Sequence, residues 1–328
     1  MKRSFYLFVL FFHAALAPAL GQIDFSYVDS LSKAFKSEHT DARLLARELT
    51  APFSTPVEKA RAIFTWIAHN IRYDCKKFHE NEGEFTIEGY SEDDIQRKYL
   101  KFREKQLVET LRKRKGICDD YSHLFQAMCE AIGVKAVVIS GISRRWERPF
   151  KKSSQRSNHA WNAIQIDGQW HLVDATWAAG STDEEVKRFT FEFKPGYFMT
   201  PPHYFILDHF PKEETWQLLK TPVSLKEFHK QPVISYGSAS FKLTDFTPAL
   251  KSNADKQAEV RLRFAGEPPA AFLIGDSQGQ IVSKPIVKKE EDGWLSLLFS
   301  RPKGQEVVVM VGQESSRKID ILARYLND

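Results

Sequence analysis

Apolar residues recur at helical spacing through roughly the first 130 positions and at strand spacing after them. Ala60, Ile63, Phe64, Ile67 and Ile71 fall on one face of a helix. Thr55 is its expected N-cap, Pro56 suits the first helical position, and Glu58 completes a capping box. Trp66 lies near that face and reads as core. Residues 24–50 read as one or two shorter helices ending near Ala51-Pro52. From Cys75 to about Arg103 the pattern dissolves into charge. Seven acids lie between Glu80 and Asp94 without one Lys or Arg, and a mostly basic stretch follows. So polar a run buries little, and it is expected to be a surface insertion with some helix. Gln106 to Arg114 is helical and leads into "CDDYSHLFQAMCEAIG", where Cys118, Tyr121, Phe125, Met128, Cys129 and Ile132 share one inward stripe.

After Gly133 the period changes. "VKAVVISGI" is a strand by its β-branched content, and "HAWNAIQIDGQWHLVDATW" is a hairpin with Asp167-Gly168 at its turn. Between them runs a loop with Arg144, Arg145, Arg148, Lys151, Lys152 and Arg156 against only Glu147. Residues 180–230 are mixed and aromatic-rich. From about Val233 short apolar runs such as "EVRLRF", "WLSLLF" and "EVVVMVG" alternate with Gly, Pro and charged turns, the pattern of a β-sandwich about the size of one immunoglobulin domain. It holds no cysteine, so it lacks the inter-sheet disulfide of antibody domains. The expected organisation is an α+β domain over 22–230 and a β-sandwich over 231–328.

The leader changes the picture of where the chain works. Lys2 and Arg3 precede an apolar run from Phe5 to Leu16, Pro18 breaks it, and Ala19-Leu20-Gly21 offers small residues for cleavage before Gln22. Residues 1–21 therefore read as a signal peptide, with a soluble periplasmic or secreted mature protein and no membrane-embedded segment. Removing Lys2 and Arg3 takes the formal charge from +5 to +3, too mild a surplus to argue for nucleic acid. Cys75, Cys118 and Cys129 are an odd set for an oxidising compartment, so at least one thiol stays free or pairs between chains. No CxxC and no HExxH occurs, and no metal or other cofactor is assigned.

Cys118 opens a helix. Exposed amides there stabilise a thiolate, but Asp119 and Asp120 beside it oppose that effect. The hairpin supplies what the helix lacks. If Ile166 opposes Gln169, then Trp161 opposes Asp174, and His159 shares a face with Asp174 as a diagonal neighbour, with α-carbons roughly 7–8 Å apart. A thiol at a helix start, a histidine base and a carboxylate that orients it are the parts nucleophilic acyl transfer needs. Cys118, His159 and Asp174 are thus the candidate catalytic residues. Trp66 and Gln106 are weaker candidates for an oxyanion donor. Trp161 and Trp177 would wall the cleft, and His171, on the opposite face, reads as structural. The basic loop at 144–156 directly precedes His159 and would reach the rim, where it would suit an anionic substrate or be only solvated surface.

"RKGICDDYSHLFQAMCEAIG" followed by "NHAWNAIQIDGQWHLVDATW" resembles the core of the transglutaminase-like superfamily, with Cys, His and Asp in that order. "ARAIFTWIAHNIRYDC" upstream and "YFILDHFPKEETWQLL" downstream narrow the resemblance to the kyphoscoliosis-peptidase group. It is strong over residues 55–220 and architectural only in the β-rich tail. The resemblance implies a papain-like core followed by an immunoglobulin-like module, with Cys118 as nucleophile, His159 as base and Asp174 as its orienter. Family members include peptidases, amidases, cross-linking transferases and inactive scaffolds. Retention of all three residues favours an active enzyme. Because water is always available and no amine-binding pocket can be read from the sequence, hydrolysis of a peptide or amide bond in a protein or peptide substrate is the first choice, a cell-envelope component being one candidate. Cross-linking and non-catalytic adhesion are the alternatives.

Overall fold

The protein is described from a computed structural model, over residues 23–80, 87–144, 156–234, 243–253, 255–312 and 319–327. The leader, part of the acidic run and most of the basic loop lie outside these residues.

Three helices, α1 (Ser26–Ala34), α2 (Ala42–Thr50) and α3 (Pro56–Asn70), begin the fold. Thr55 and Glu58 form the expected capping box on α3. Its apolar residues and Trp66 are buried, and so is Arg61, which holds Asp29 of α1 through two bonds of 2.7 Å. A two-residue strand, β1 (Arg72–Tyr73), pairs in parallel with β2 (Lys115–Gly116). Between them lie α4 (Cys75–Glu80) and α5 (Glu92–Lys113).

The polar insertion thus becomes helical fourteen residues before Gln106, at Glu92. The reason is local. Ser91 accepts from the Asp94 amide at 3.2 Å, and Asp94–Lys98 and Glu109–Lys113 pair at i,i+4. This helix is held by caps and surface pairs and buries only Thr110 and Leu111.

Helix α6 (Cys118–Ala131) packs on a five-stranded antiparallel sheet. The strands are β3 (Ala136–Ser143), β4 (His159–Ile166), β5 (Gln169–Val173), β8 (Phe198–Thr200) and β9 (His209–Pro211), in the order β8-β5-β4-β3-β9. A short helix α7 (Ala175–Ala179) and a small ribbon of β6 (Gly180–Thr182) with β7 (Phe189–Phe191) sit between β5 and β8. The hairpin turns as expected. Asp167 and Gly168 both take positive φ, 50° and 80°, the two-residue turn that matches strand twist, and Ile166 pairs with Gln169.

After α8 (Pro202–Phe205) and α9 (Leu225–Lys230) the chain is all-β. One sheet holds β10 (Val233–Ile234), β14 (Ala271–Gly275), β15 (Ile281–Ser283), β18 (Glu306–Gly312) and β19 (Ile319–Leu326). The other holds β11 (Leu243–Phe246), β12 (Lys251–Ser252), β13 (Ala258–Phe264), β16 (Ile286–Lys289) and β17 (Trp294–Phe299). Val260, Leu262 and Leu297 from one sheet meet Ile274, Val307 and Val309 from the other in a shared core. A separate core spans Val28 to Phe205. No helix among the described residues is long and apolar enough to cross a membrane.

Candidate active site

Two buried anchors set α6 over the sheet. Asn162 on β4 donates to the carbonyls of Ser122 on α6 and Val137 on β3, both at 3.0 Å. Tyr121 donates to the Ile71 carbonyl. Together they fix the start of α6, and with it Cys118, above the ends of β4 and β5.

The acids that oppose a thiolate in the sequence are each paired. Arg103 holds Asp119, whose carboxyl sits at about 2: burial pushes it up, but bonds from His123 and Arg103 outweigh that. Lys77 holds Asp120 at 2.7 Å, and Asp120 also accepts from the Ile117 amide at 2.8 Å, capping the helix just before the thiol. Cations from α4 and α5 therefore offset the charges that Cys118 would otherwise meet. The polar insertion has a role in this chemistry that its composition did not reveal.

His159, Asp174 and Cys118 come together. His159 Nε2 donates to Asp174 Oδ2 at 2.7 Å, which leaves Nδ1 free of Asp174, and Cys118 is close enough to act on the same ring. Asp174 is fully buried and caps α7, its Oδ1 accepting from the amides of Thr176 (2.8 Å) and Trp177 (2.9 Å). Burial disfavours its charge, yet His159 and then His209 hold the carboxyl far below the usual range. Burial also works against charge on His159. The Asp174 carboxylate, with a smaller part from Cys118, overrides it and pushes the imidazole up to about 10.

Sequence reading missed the fourth member of this cluster. His209, the first residue of β9, donates from Nε2 to the same Asp174 Oδ2 at 3.0 Å. Its other nitrogen bonds Asp208, and both residues are buried. β9 reaches the site because it pairs with β3 at Ser143, beside Gly141, where His159 also pairs. Gly141 carries no side chain, and a Cβ there would lie 2.4 Å from the Trp161 ring and 2.2 Å from the Phe210 carbonyl. The only pointer in the sequence is the "DHFP" of the downstream motif.

The remaining candidates divide between the site and the rest of the fold. Trp66 is core, its Nε1 donating to the Phe35 carbonyl at 3.3 Å. Gln106 accepts from Lys77 at 3.1 Å. Trp177 and Trp161 flank the His159 ring at 5.5 and 6.0 Å. His171 pairs with Ile164, away from the site, as expected. All three cysteines are free, so Cys75 and Cys129 do not pair, and burial pushes the Cys129 thiol up. Of the basic loop, Arg144 is not at a rim: it is half-buried, bonds the Leu207 carbonyl at 2.6 Å and stacks on Phe228. Residues 145–155 lie outside the described residues.

Among the described residues, His159, Asp174 and His209 also form a group whose ligand-type atoms converge, within 4.8 Å of one another. Those atoms are already bonded to one another at 2.7 and 3.0 Å, so an ion would have to replace both bonds. The arrangement holds protons between nitrogen and oxygen.

A free thiol on a helix start and a carboxylate-bound histidine on the facing hairpin define a class. Residues 43–175 match the transglutaminase-like superfamily, so this stretch is a transglutaminase-like domain. Within it the similarity runs to the kyphoscoliosis peptidases. The human protein is 36% identical over 290 residues, covering 87% of this chain and 38% of that protein. The mouse protein is 31% identical over 286 residues, covering 85% and 38%. Hillarin of Drosophila melanogaster is 30% identical over 227 residues, covering 65% of this chain and 25% of that protein. The chain thus spans less than two fifths of the two peptidases it resembles.

Proposed function

We propose that this protein is a cysteine acyl-transfer enzyme that hydrolyses peptide or amide bonds through a thioester. The observation that carries the reading is an imidazole bonded to a buried carboxylate, with the thiol of a helix start close enough to act on the same ring. Cys118 gives its proton to His159 Nδ1, and the sulfur attacks the substrate carbonyl carbon. The oxyanion meets the first-turn amides of α6, which have no partner within the helix. The tetrahedral adduct collapses, the C–N bond breaks, and the leaving amine takes the proton from His159. His159 then draws a proton from water, which attacks the thioester and releases the acid and the thiol. Asp174 keeps the Nε2 proton in place throughout.

An amine in place of that water would make the enzyme a cross-linking transferase. The similarity to proteins named peptidases favours water. The C-terminal sheets we read as an immunoglobulin-like module that presents the site to a protein or peptide substrate. The leader argues for export, and N-terminal sequencing of the mature protein should begin at Gln22; a retained Met1 or Lys2 would overturn export by cleavage.

The mechanism is tested by iodoacetamide alkylation of Cys118 across pH, read by mass spectrometry. Fast labelling at neutral pH and below, lost in His159→Ala, is expected. Labelling that rises only near ~8.5, as for an ordinary thiol, and is unchanged by the substitution would mean a scaffold with an inert site.

A further inference from the structure

Behind the triad lies a second histidine–carboxylate pair that the mechanism above does not use. We propose that His209 is a permanently charged imidazolium, clamped between Asp174 and Asp208, and that the two act as positioning residues that tune the Cys118–His159 pair through Asp174. The inference rests on the acyl-transfer reading for its consequence but not for the charge itself.

Hydrogen-bond chemistry carries the charge. Nε2 of His209 faces Asp174 Oδ2 and Nδ1 faces Asp208 Oδ1. An ionised carboxylate only accepts, and a neutral imidazole donates from one nitrogen only. Two facing carboxylates therefore require protons on both nitrogens. The surroundings agree. Phe205 stacks on the ring at 4.1 Å between centroids, while Trp177 at 4.5 Å and Trp161 at 5.0 Å close other sides. Aromatic walls of this kind favour a cation. Burial opposes the charge, but the two carboxylates raise the ring above the ordinary histidine range.

The charged and titratable groups around His209 come from several elements. His159 on β4 lies 5.4 Å away between ring centroids. Asp174 caps α7, Asp208 precedes β9, and Tyr197 stands 6.3 Å off. Arg144, after β3, acts on Asp208 by charge, and Tyr121 of α6 senses Asp174. On the Asp174 side of His159, the added charge is thus His209, and it is positive. It shares the single oxygen, Oδ2, to which His159 donates. Asp174 is thereby kept from drawing all of its compensation from His159, and the field at the thiolate is made more positive.

At an effective dielectric of about 20, a unit charge at the 5.4 Å that separates the His209 and His159 rings moves the ionisation of His159 by roughly two pH units, and that of the thiol beyond it by less. Asp208 on the far side cancels part of this, leaving about one. The test uses the full chain, uniformly labelled with 15N. Ring nitrogens of His209, assigned by ring-to-backbone correlation, should both carry protons from pH 6 to 8. In Asp208→Asn, His209 should become a neutral ring with one bare nitrogen. The acid limb of Cys118 alkylation should then move up by about one pH unit, with His209→Gln moving it in the same direction. One bare nitrogen on His209 in the unaltered protein overturns the proposal, whether or not the variants fold. So does a folded Asp208→Asn variant whose acid limb stays put. Indifference of Cys118 to His159→Ala would instead sink the acyl-transfer reading, and the nitrogen spectrum would still decide the charge.

Discussion

Asp174→Asn keeps shape and volume, and its effect can be worked out bond by bond. Oδ1 accepts two backbone amides and Oδ2 accepts two imidazole N–H groups, so all four neighbours are donors. An asparagine must turn its NH2 towards one of these pairs. Facing α7, it removes the cap at about 1 kcal/mol and sets donor against donor. Facing the histidines, it leaves the buried His159 imidazolium without its carboxylate and His209 with Asp208 alone, and breaking a buried pair costs about 3–5 kcal/mol. The second loss depends on pH. His159 is raised from 6.5 to about 10, so its contribution is full below the unfolded value and fades as pH climbs through about 10. Urea unfolding followed by tryptophan fluorescence reads this core, because six of the seven tryptophans precede residue 231. The unaltered protein should lose stability between pH 6.5 and 10, while the variant should be weaker by about 3–5 kcal/mol at pH 6 and nearly level across that window. A difference that is small at pH 6, or constant from pH 6 to 10, would refute the charge network as described.

Other substitutions probe the supports. Gly141→Ala would drive a Cβ against the Phe210 carbonyl and the Trp161 ring, so a loss of about 1–3 kcal/mol or more is expected, with slower Cys118 alkylation as β9 is pushed from β3; an unchanged melting temperature would show that the strands part freely. Asp120→Ala removes the Ile117 cap and the Lys77 partner, and should destabilise by about 1–3 kcal/mol and fray the start of α6, measured by amide exchange at Ile117 and Cys118. Asp29→Asn leaves the buried Arg61 guanidinium with a neutral partner. Asp29 is itself partly exposed, so the expected cost is about 2–3 kcal/mol in urea unfolding.

Local rules made much of this molecule legible. The Thr55–Glu58 box and the Asp167-Gly168 turn are short-range chemistry, and once the turn is two residues long the register that joins His159 to Asp174 follows by counting. What stayed hidden depends on distant contacts. β9 has only three residues, too few for a period, and only its pairing with β3 brings His209 to Asp174. Strands β10, β12 and β15 are similarly short edge elements. Helix α5 lacks an apolar stripe because caps and i,i+4 pairs hold it. The cations that neutralise Asp119 and Asp120 sit 16 and 43 residues away, beyond any local pattern.

Between Phe205 and Ile234 the chain crosses back and forth. Phe205 lies in the first core, Leu207 in the second, His209 returns to the first sheet, and Ile234 ends in the second core. The two halves are sewn together by this run rather than strung like beads, and the needle passes through the residue that touches Asp174. Exchanging the C-terminal sheets for another module, or trimming them away, would unpick the seam beside the His159–Asp174 pair itself.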